Sequence, residues 1–290
     1  MDAAFHVVDV FAERKYAGNP LAVVESGGSL AEEAMLAVAR EMNYSETTFI
    51  EGEAADGGYD VRIFTTEGEI PFAGHPTLGT AAVLGKRFDA GDGVTLNLGV
   101  GRIPVEVRQE GGAETLWMTQ QPPEFGPELD GARLARALGL DAAAIDEAWP
   151  VEVVSTGLPA VLIPLVDRPS LARIEIDRPA YDDLHEATGV ANLLAFCADP
   201  REPDHDLAAR MFAPGLGVPE DPATGSANGC LAGYLARHRY FDTPRVAASV
   251  EQGYEMDRPS ILQLEADAEN GEIAVRVGGR VAFAAEGRLL

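Results

Sequence analysis

Glu46 comes after a helix-like stretch and shortly before the apolar pair Phe49-Ile50, so its carboxylate has neighbours able to strip it of water. Desolvation favours the protonated form of a carboxyl group, which is what a general base working near neutral pH requires. An ordinary polar residue at the start of a strand fits the same surroundings equally well. His75 stands where a loop gives way to an apolar helical run. The positive end of a helix disfavours imidazolium there, leaving a neutral ring that can donate a hydrogen bond; a bare His-Pro is also a common turn. Asp221 precedes Pro222 and suits a helix cap. Together these types offer proton transfer on a small molecule, without a metal.

Two stretches read as the openings of helices: Phe72-Ala73-Gly74-His75-Pro76-Thr77-Leu78-Gly79-Thr80, and Glu220-Asp221-Pro222-Ala223-Thr224-Gly225-Ser226-Ala227-Asn228-Gly229. Each puts a glycine and a small polar residue ahead of an apolar run. Each therefore presents main-chain N–H groups with no intrahelical partner and a positive dipole end, the setting that binds an anion. Gly74 with His75, and Gly225 with Ser226, are the expected binders of a substrate carboxylate. Two such ends facing one cleft would hold it.

The elements that position these residues form an internal repeat. Gly18-Asn19-Pro20-Leu21-Ala22-Val23-Val24 echoes Gly157-Leu158-Pro159-Ala160-Val161-Leu162-Ile163, Arg62-Ile63-Phe64 echoes Arg210-Met211-Phe212, and Gly74-His75 echoes Gly225-Ser226. A fourth echo sets Gly101–Val107 on Gly271–Val277. Matches in constant order argue for duplicated halves with a site between them. Aligning His75-Pro76 on Asp221-Pro222 is locally almost as good. Alternating, β-branched segments predict strands at 5–11, 21–24, 48–51, 59–64, 94–98 and 103–107, with a weaker one at 117–118. The second half repeats the scheme at 151–155, 160–164, 193–198, 208–212, 246–251, 260–265, 273–277 and 281–286. Helices are expected over 30–42, capped by Ser29, and over 76–86, 130–138, 182–188 and 227–239. The run Gln121–Pro127 reads as a linker. Many strands and one central helix per half give an α+β fold: two pseudo-symmetric domains, 1–120 and 128–290, each a curled mixed or antiparallel sheet around a helix, the terminal strand packing on the first domain.

The 290 residues carry 22 Lys+Arg against 47 Asp+Glu, a net charge of −25, and Lys15 and Lys86 are the only lysines. Such a surface repels phosphate backbones, so neither nucleic acid nor an anionic membrane is an expected partner. Arginine in place of lysine can follow genome composition, but composition alone does not create this charge, and adaptation to high salt is the sharper reading. No opening stretch resembles a signal peptide and no run approaches a membrane span, so a cytoplasmic location is expected. Gly99-Val100-Gly101 lacks the rest of a dinucleotide fingerprint. The five histidines and two cysteines have no metal-ligand spacing, and there is no P-loop. No cofactor and no metal are expected.

Gly18-Asn19-Pro20, Asn43-Tyr44-Ser45-Glu46-Thr47, the two helix openings, Gln252-Gly253 and Arg258-Pro259-Ser260 together resemble the PhzF-like phenazine biosynthesis family over the whole chain. The resemblance implies the diaminopimelate epimerase-like fold and isomerase chemistry on a small carboxylate-bearing molecule. It implies that Glu46 is the proton-shuttling acid, that His75 belongs to the site, that Asp221 lines it and orients substrate or relays a proton, and that Asn19 contributes to binding. The related racemases place a cysteine immediately before the glycine of each helix opening, one thiol on each face of the substrate. Ala73 and Thr224 stand at those positions here, and Cys197 and Cys230 read as small core residues. The expected reaction is a double-bond shift in which Glu46 removes a proton and returns it elsewhere on the same face. An amino-acid-type racemase or epimerase, and a binding protein that keeps the cleft without turnover, are the alternatives. The expected partner is the substrate itself, with a homodimer as the candidate assembly.

Overall fold

The computed structural model describes residues 3–55, 57–88, 93–110, 112–269 and 271–290. The chain divides into two compact units, Met1–Thr119 with Gly278–Leu290, and Gln120–Val277.

In the first unit, β1 (Ala3–Val10), β2 (Asn19–Glu25), α1 (Glu32–Met42), β3 (Thr47–Glu53), β4 (Tyr59–Phe64), β5 (Glu69–Ile70), α2 (Gly74–Phe88), β6 (Gly93–Leu98), β7 (Gly101–Glu110) and β8 (Ala113–Thr119) follow in order. The second runs through β9 (Glu124–Glu128), α3 (Gly131–Ala137), β10 (Glu152–Ser155), β11 (Pro159–Pro164), α4 (Arg168–Ala172), α5 (Arg178–Thr188), β12 (Asn192–Cys197), β13 (Leu207–Ala213), β14 (Val218–Asp221), α6 (Gly225–His238), β15 (Arg245–Gln252), β16 (Ser260–Asp267) and β17 (Ala274–Gly279). The closing strand, β18 (Val281–Leu289), pairs antiparallel with β1.

The pairings repeat. β1 and β2 are antiparallel, β2 and β3 parallel, β3 and β4 antiparallel, and β4 takes the short β5 and runs parallel to β6. In the second unit β10, β11, β12, β13, β14 and β15 show the same sequence of orientations. α2 and α6 both begin at the residues the repeat aligned, Gly74 and Gly225. Asp221, by contrast, ends β14, so the alternative alignment of His75 on Asp221 does not hold. The fourth echo fails as well. Gly101–Val107 lies on β7, which pairs with β6, and its counterpart by pairing is β16, which pairs with β15; Gly271–Val277 reaches into β17, one strand later. Hydrophobic alternation is common to all strands, so a short match cannot tell one hairpin arm from the next.

In each unit the strands wrap a helix. α2 packs on β1, β2, β3, β6, β7 and β8, and α6 packs on β10, β11, β15 and β16. Ala227 through Ala236 of α6 are all buried, as expected of a helix enclosed on every side. Gly229 makes that approach possible, because a Cβ there would lie 1.9 Å from Gln120 Oε1. The outer face of the first unit's sheet carries α1 on Val24, Phe49 and Phe64. In the second unit Leu134 and Leu138 of α3 region and Tyr181 and Leu184 of α5 share a core with Val161, Ile163 and Leu193.

Local signals were partly misread. Ser29 does not cap α1; its hydroxyl donates to Ser26 O at 2.5 Å, and Ala31 occupies the cap position. Asp130 and Asp177 do cap α3 and α5, accepting from Ala132 N and Ala180 N. α5 starts at Arg178, four residues before the expected start, because Asp177 and Pro179 form its opening turn. The expected linker holds β9, which pairs with β10: Pro122 and Pro123 precede the strand, and Pro127 lies on it at an edge, where a missing N–H is tolerated. α4 carried no signal that was used.

Candidate active site

In the first unit Glu46 immediately precedes β3, and His75 is the second residue of α2. Strand alternation turns Glu46 and Thr48 to one face, and Thr48 Oγ1 meets Thr80 Oγ1 of α2 at 2.8 Å in the interior. The same packing brings His75 Nε2 to 3.3 Å from Glu46 Oε2, with side-chain exposures of 7% and 17%. At that distance a protonated imidazole would form an ion pair. Burial instead holds the His75 pKa down at about 3, so the ring is neutral and adds no positive charge to the contact. His75 Nε2 is enclosed, with no hydrogen bond of normal geometry among the described residues. A neutral ring nitrogen beside a carboxylate, both screened from bulk water, is an arrangement for passing a proton.

The first main-chain bonds of α2 and α6 are made by Thr77 N to Ala73 O and Asn228 N to Thr224 O. The N–H groups of Gly74, His75, Gly225 and Ser226 precede these bonds and have no partner within their helices. Thr77 Oγ1 also donates to Ala73 O at 2.8 Å and steadies the first opening. Asn19 is fully buried at the start of β2, opposite Val10. β2 and β3 run parallel and begin at the same end, so Asn19 and Glu46 belong to one edge of the first unit.

In the second unit Asp221, 8% exposed, ends β14 opposite Met211. It does not cap α6: the cap position is Thr224, whose hydroxyl donates to Asp221 Oδ2. Gln252 lies beneath, donating from Nε2 to Asp221 O at 2.8 Å. Gln120 Nε2 donates to Gly225 O at 2.9 Å and Gln120 Oε1 accepts from Thr156 Oγ1 at 2.6 Å, fixing the first turn from the other side. Gly253 follows Gln252 with φ +76, and a Cβ there would lie 2.6 Å from Pro222 O, so the chain can pass the second opening only as glycine. Arg210 grips Glu220, next to Asp221, through two bonds of 2.8 Å, and its remaining nitrogen donates to Leu171 O, Ala172 O and Ile174 O.

Gln120 and Thr156 carry no mark in the sequence, and Asn228 and Gln252 stand there only as members of motifs. The bonds that join them to Gly225, to Gln252 and to one another span 24 to 105 residues of chain, which no local pattern reveals. The two thiols stand apart from this chemistry. Burial raises both, Cys197 to about 11, and Cys230 Sγ contacts Thr156 Oγ1 and Leu158 O inside the core. Among the described residues no cluster of three or more His, Cys, Asp or Glu could hold a metal ion, and no helix is long and apolar enough to cross a membrane.

A family model described as phenazine biosynthesis-like protein matches residues 8–287. The trans-2,3-dihydro-3-hydroxyanthranilate isomerase of Pseudomonas aeruginosa is 37% identical over 284 residues, which cover 97% of both chains. A phenazine biosynthesis protein of the PhzF family from Bacillus anthracis superposes with a TM-score of 0.92 at 24% identity, covering 100% of this chain and 99% of that one. A hydroxyproline epimerase from Agrobacterium vitis shares the fold alone, with a TM-score of 0.65 at 11% identity over 99% of this chain and 91% of its own. The match runs through both units and both helix openings, and the chain therefore belongs to the phenazine biosynthesis-like PhzF family, on the α+β fold shared with the diaminopimelate epimerase-like enzymes.

Proposed function

We propose that this protein is an isomerase that moves a proton on a small carboxylate-bearing metabolite, with Glu46 as the general acid and base. The observation that carries the reading is the enclosed contact of Glu46 with a neutral His75. A carboxylate facing imidazolium would be held as one half of an ion pair, whereas one facing a neutral ring keeps its capacity to take a proton. A single acid that removes a proton and returns it elsewhere on the same face shifts a double bond. Inverting a carbon centre calls for a second group on the opposite face, and the thiols that do this in related racemases have no counterpart at Ala73 and Thr224. His75 orients the reacting group, Asp221 orients the substrate in the second unit, and Asn19 adds a contact. The N–H groups of Gly74, His75, Gly225 and Ser226, with the Ser226 hydroxyl, bind the carboxylate.

The relative from Pseudomonas aeruginosa is named for trans-2,3-dihydro-3-hydroxyanthranilate, which is the first compound to try. Incubation in deuterated water with that compound and a panel of unsaturated amino and hydroxy acids tests the reading. Solvent deuterium at a new carbon position with the double bond moved is the expected result. Exchange with loss of optical activity would make the protein a racemase. Binding of a panel member without any exchange would make it a binding protein.

The acidic surface extends the proposal to a saline setting. A net charge of −25 opposes compaction least when salt shortens the Debye length, from roughly 30 Å at 0.01 M to about 3 Å at 1 M. The melting temperature should rise with sodium chloride, and more for this protein than for a variant with several surface Asp→Asn changes. An equal rise in both would leave the acidity as a matter of solubility.

A further inference from the structure

Thr224 occupies the N-cap position of α6, yet its side chain caps no main-chain N–H. Threonine is favoured there because its oxygen accepts from the first turn. Here the hydroxyl is turned away to Asp221 Oδ2, so the contribution it could make to the helix is forgone for a carboxylate.

Main-chain groups set the two amides that meet this threonine. The buried Gln252 amide lies between Thr224 N, 3.4 Å from Oε1, and Asp221 O, 2.8 Å from Nε2. A main-chain N–H can only donate and a carbonyl can only accept, so the amide has one permitted orientation. Asn228 is fixed in the same way: Nδ2 donates to Thr224 O at 3.0 Å and to Gln252 Oε1 at 2.8 Å. The second hydrogen on Gln252 Nε2 then points to Thr224 Oγ1, at 3.3 Å. The Thr224 hydroxyl accepts there and turns its own proton to Asp221 Oδ2.

The geometry points to Gln252 and Thr224 as positioning residues for Asp221: together they hold its carboxylate as a hydrogen-bond acceptor at Oδ2. This rests on Asp221 belonging to the active site. Asp221 then orients substrate by accepting, and the proton traffic is left to Glu46.

A test that needs no substrate separates this inference from the isomerase reading. In protein labelled with ¹⁵N, the two Gln252 side-chain hydrogens are assigned by their disappearance in Gln252→Glu. Thr224→Val removes the acceptor of one hydrogen only. One resonance should move upfield while the other stays, and Thr224→Ser should restore the native pair. Movement of both, or of neither, overturns the relay, as does a serine variant that behaves like valine. Because the hydroxyl caps nothing, Thr224→Val should stay folded; if it does not, Thr224→Ala carries the same measurement. Once a substrate is in hand, Thr224→Val should lower kcat by about 10- to 100-fold, the scale of a displaced catalytic group, with KM within about threefold and serine recovering most of the loss. Unchanged kcat in a folded valine variant would show that Asp221 is held by other means.

Discussion

The openings of α2 and α6 hold equivalent places in two units with the same order of strand pairings, and they are furnished differently. The first carries the titratable pair, Glu46 and His75, and one side-chain brace, Thr77 on Ala73. The second carries Asp221 and a mesh of neutral amides and hydroxyls from Gln120, Thr156, Asn228 and Gln252. The arginine repeated in both units shows the same division. Arg62 reaches Glu69 and Glu32 at the surface, stacked on Phe64, whereas Arg210 reaches Glu220 in the interior, stacked on Phe212. Duplication preserves backbone architecture because the pairings demand it. Side chains that no longer have to match can then diverge, one opening holding a titratable pair and the other a mesh of fixed amides and hydroxyls.

The comparison breaks most visibly at Glu46. Glu46→Gln keeps the shape and removes the proposed base, and turnover on the substrate once found should fall by about 10²- to 10⁴-fold while ligand affinity stays within a few fold. Near-native turnover in steady-state kinetics would remove Glu46 from its role.

The next largest effect is expected at the repeated arginines. Arg210→Ala would leave Glu220, with a side chain 16% exposed, and the carbonyls of Ala172 and Ile174 without this donor, a loss of about 3–5 kcal/mol as for other broken buried pairs. Arg62→Ala should lose no more than about 1 kcal/mol, since Glu69 and Glu32 can be hydrated. Urea denaturation of both variants checks this. Equal losses would mean that the two units are braced alike.

His75 gives the first opening a pH signature of its own. Its folded pKa, about 3, lies below the ordinary 6.5, so between these values the unfolded chain binds the extra proton. The contribution of the neutral ring is complete above pH 6.5 and is lost as pH falls toward 3, with a slope of at most about 1.4 kcal/mol per pH unit. Unfolding midpoints measured from pH 7 to pH 4 should fall more steeply for the native protein than for His75→Gln. Parallel curves would place a charged, exposed imidazole at position 75.

The smallest effects concern helix glycines. Gly229→Ala in α6 would drive a methyl into Gln120 and should cost about 1–3 kcal/mol, whereas Gly85→Ala in α2 meets nothing within 4 Å and should stabilise by about 0.5–1 kcal/mol. Thermal melts of the two variants that shift in the same direction would contradict the difference in packing around these two glycines.

Much of this was written in the sequence. Alternation of apolar residues and the glycines ahead of two apolar runs were sufficient for the strands other than β5, β9 and β14, and for the two central helices and their aligned starts, because period and turn chemistry are local. Ser29 shows the limit of local reading: a good capping residue was taken by a turn to Ser26 instead. The stretch around Glu124 shows another, since whether a proline-rich run is a loop or an edge strand depends on what lies beside it. Candidate residues for the chemistry could be named one by one, but not their states. The neutrality of His75 comes from burial, and burial is set by how α2 packs on its sheet. Likewise the orientation of the Gln252 amide comes from an N–H and a carbonyl some thirty residues earlier in the chain. Residue types and their periods determined which groups the protein has to work with, because those are properties of neighbours in sequence. Only the tertiary structure decided which are charged, which donate and which are held, because protonation and hydrogen-bond direction answer to neighbours in space.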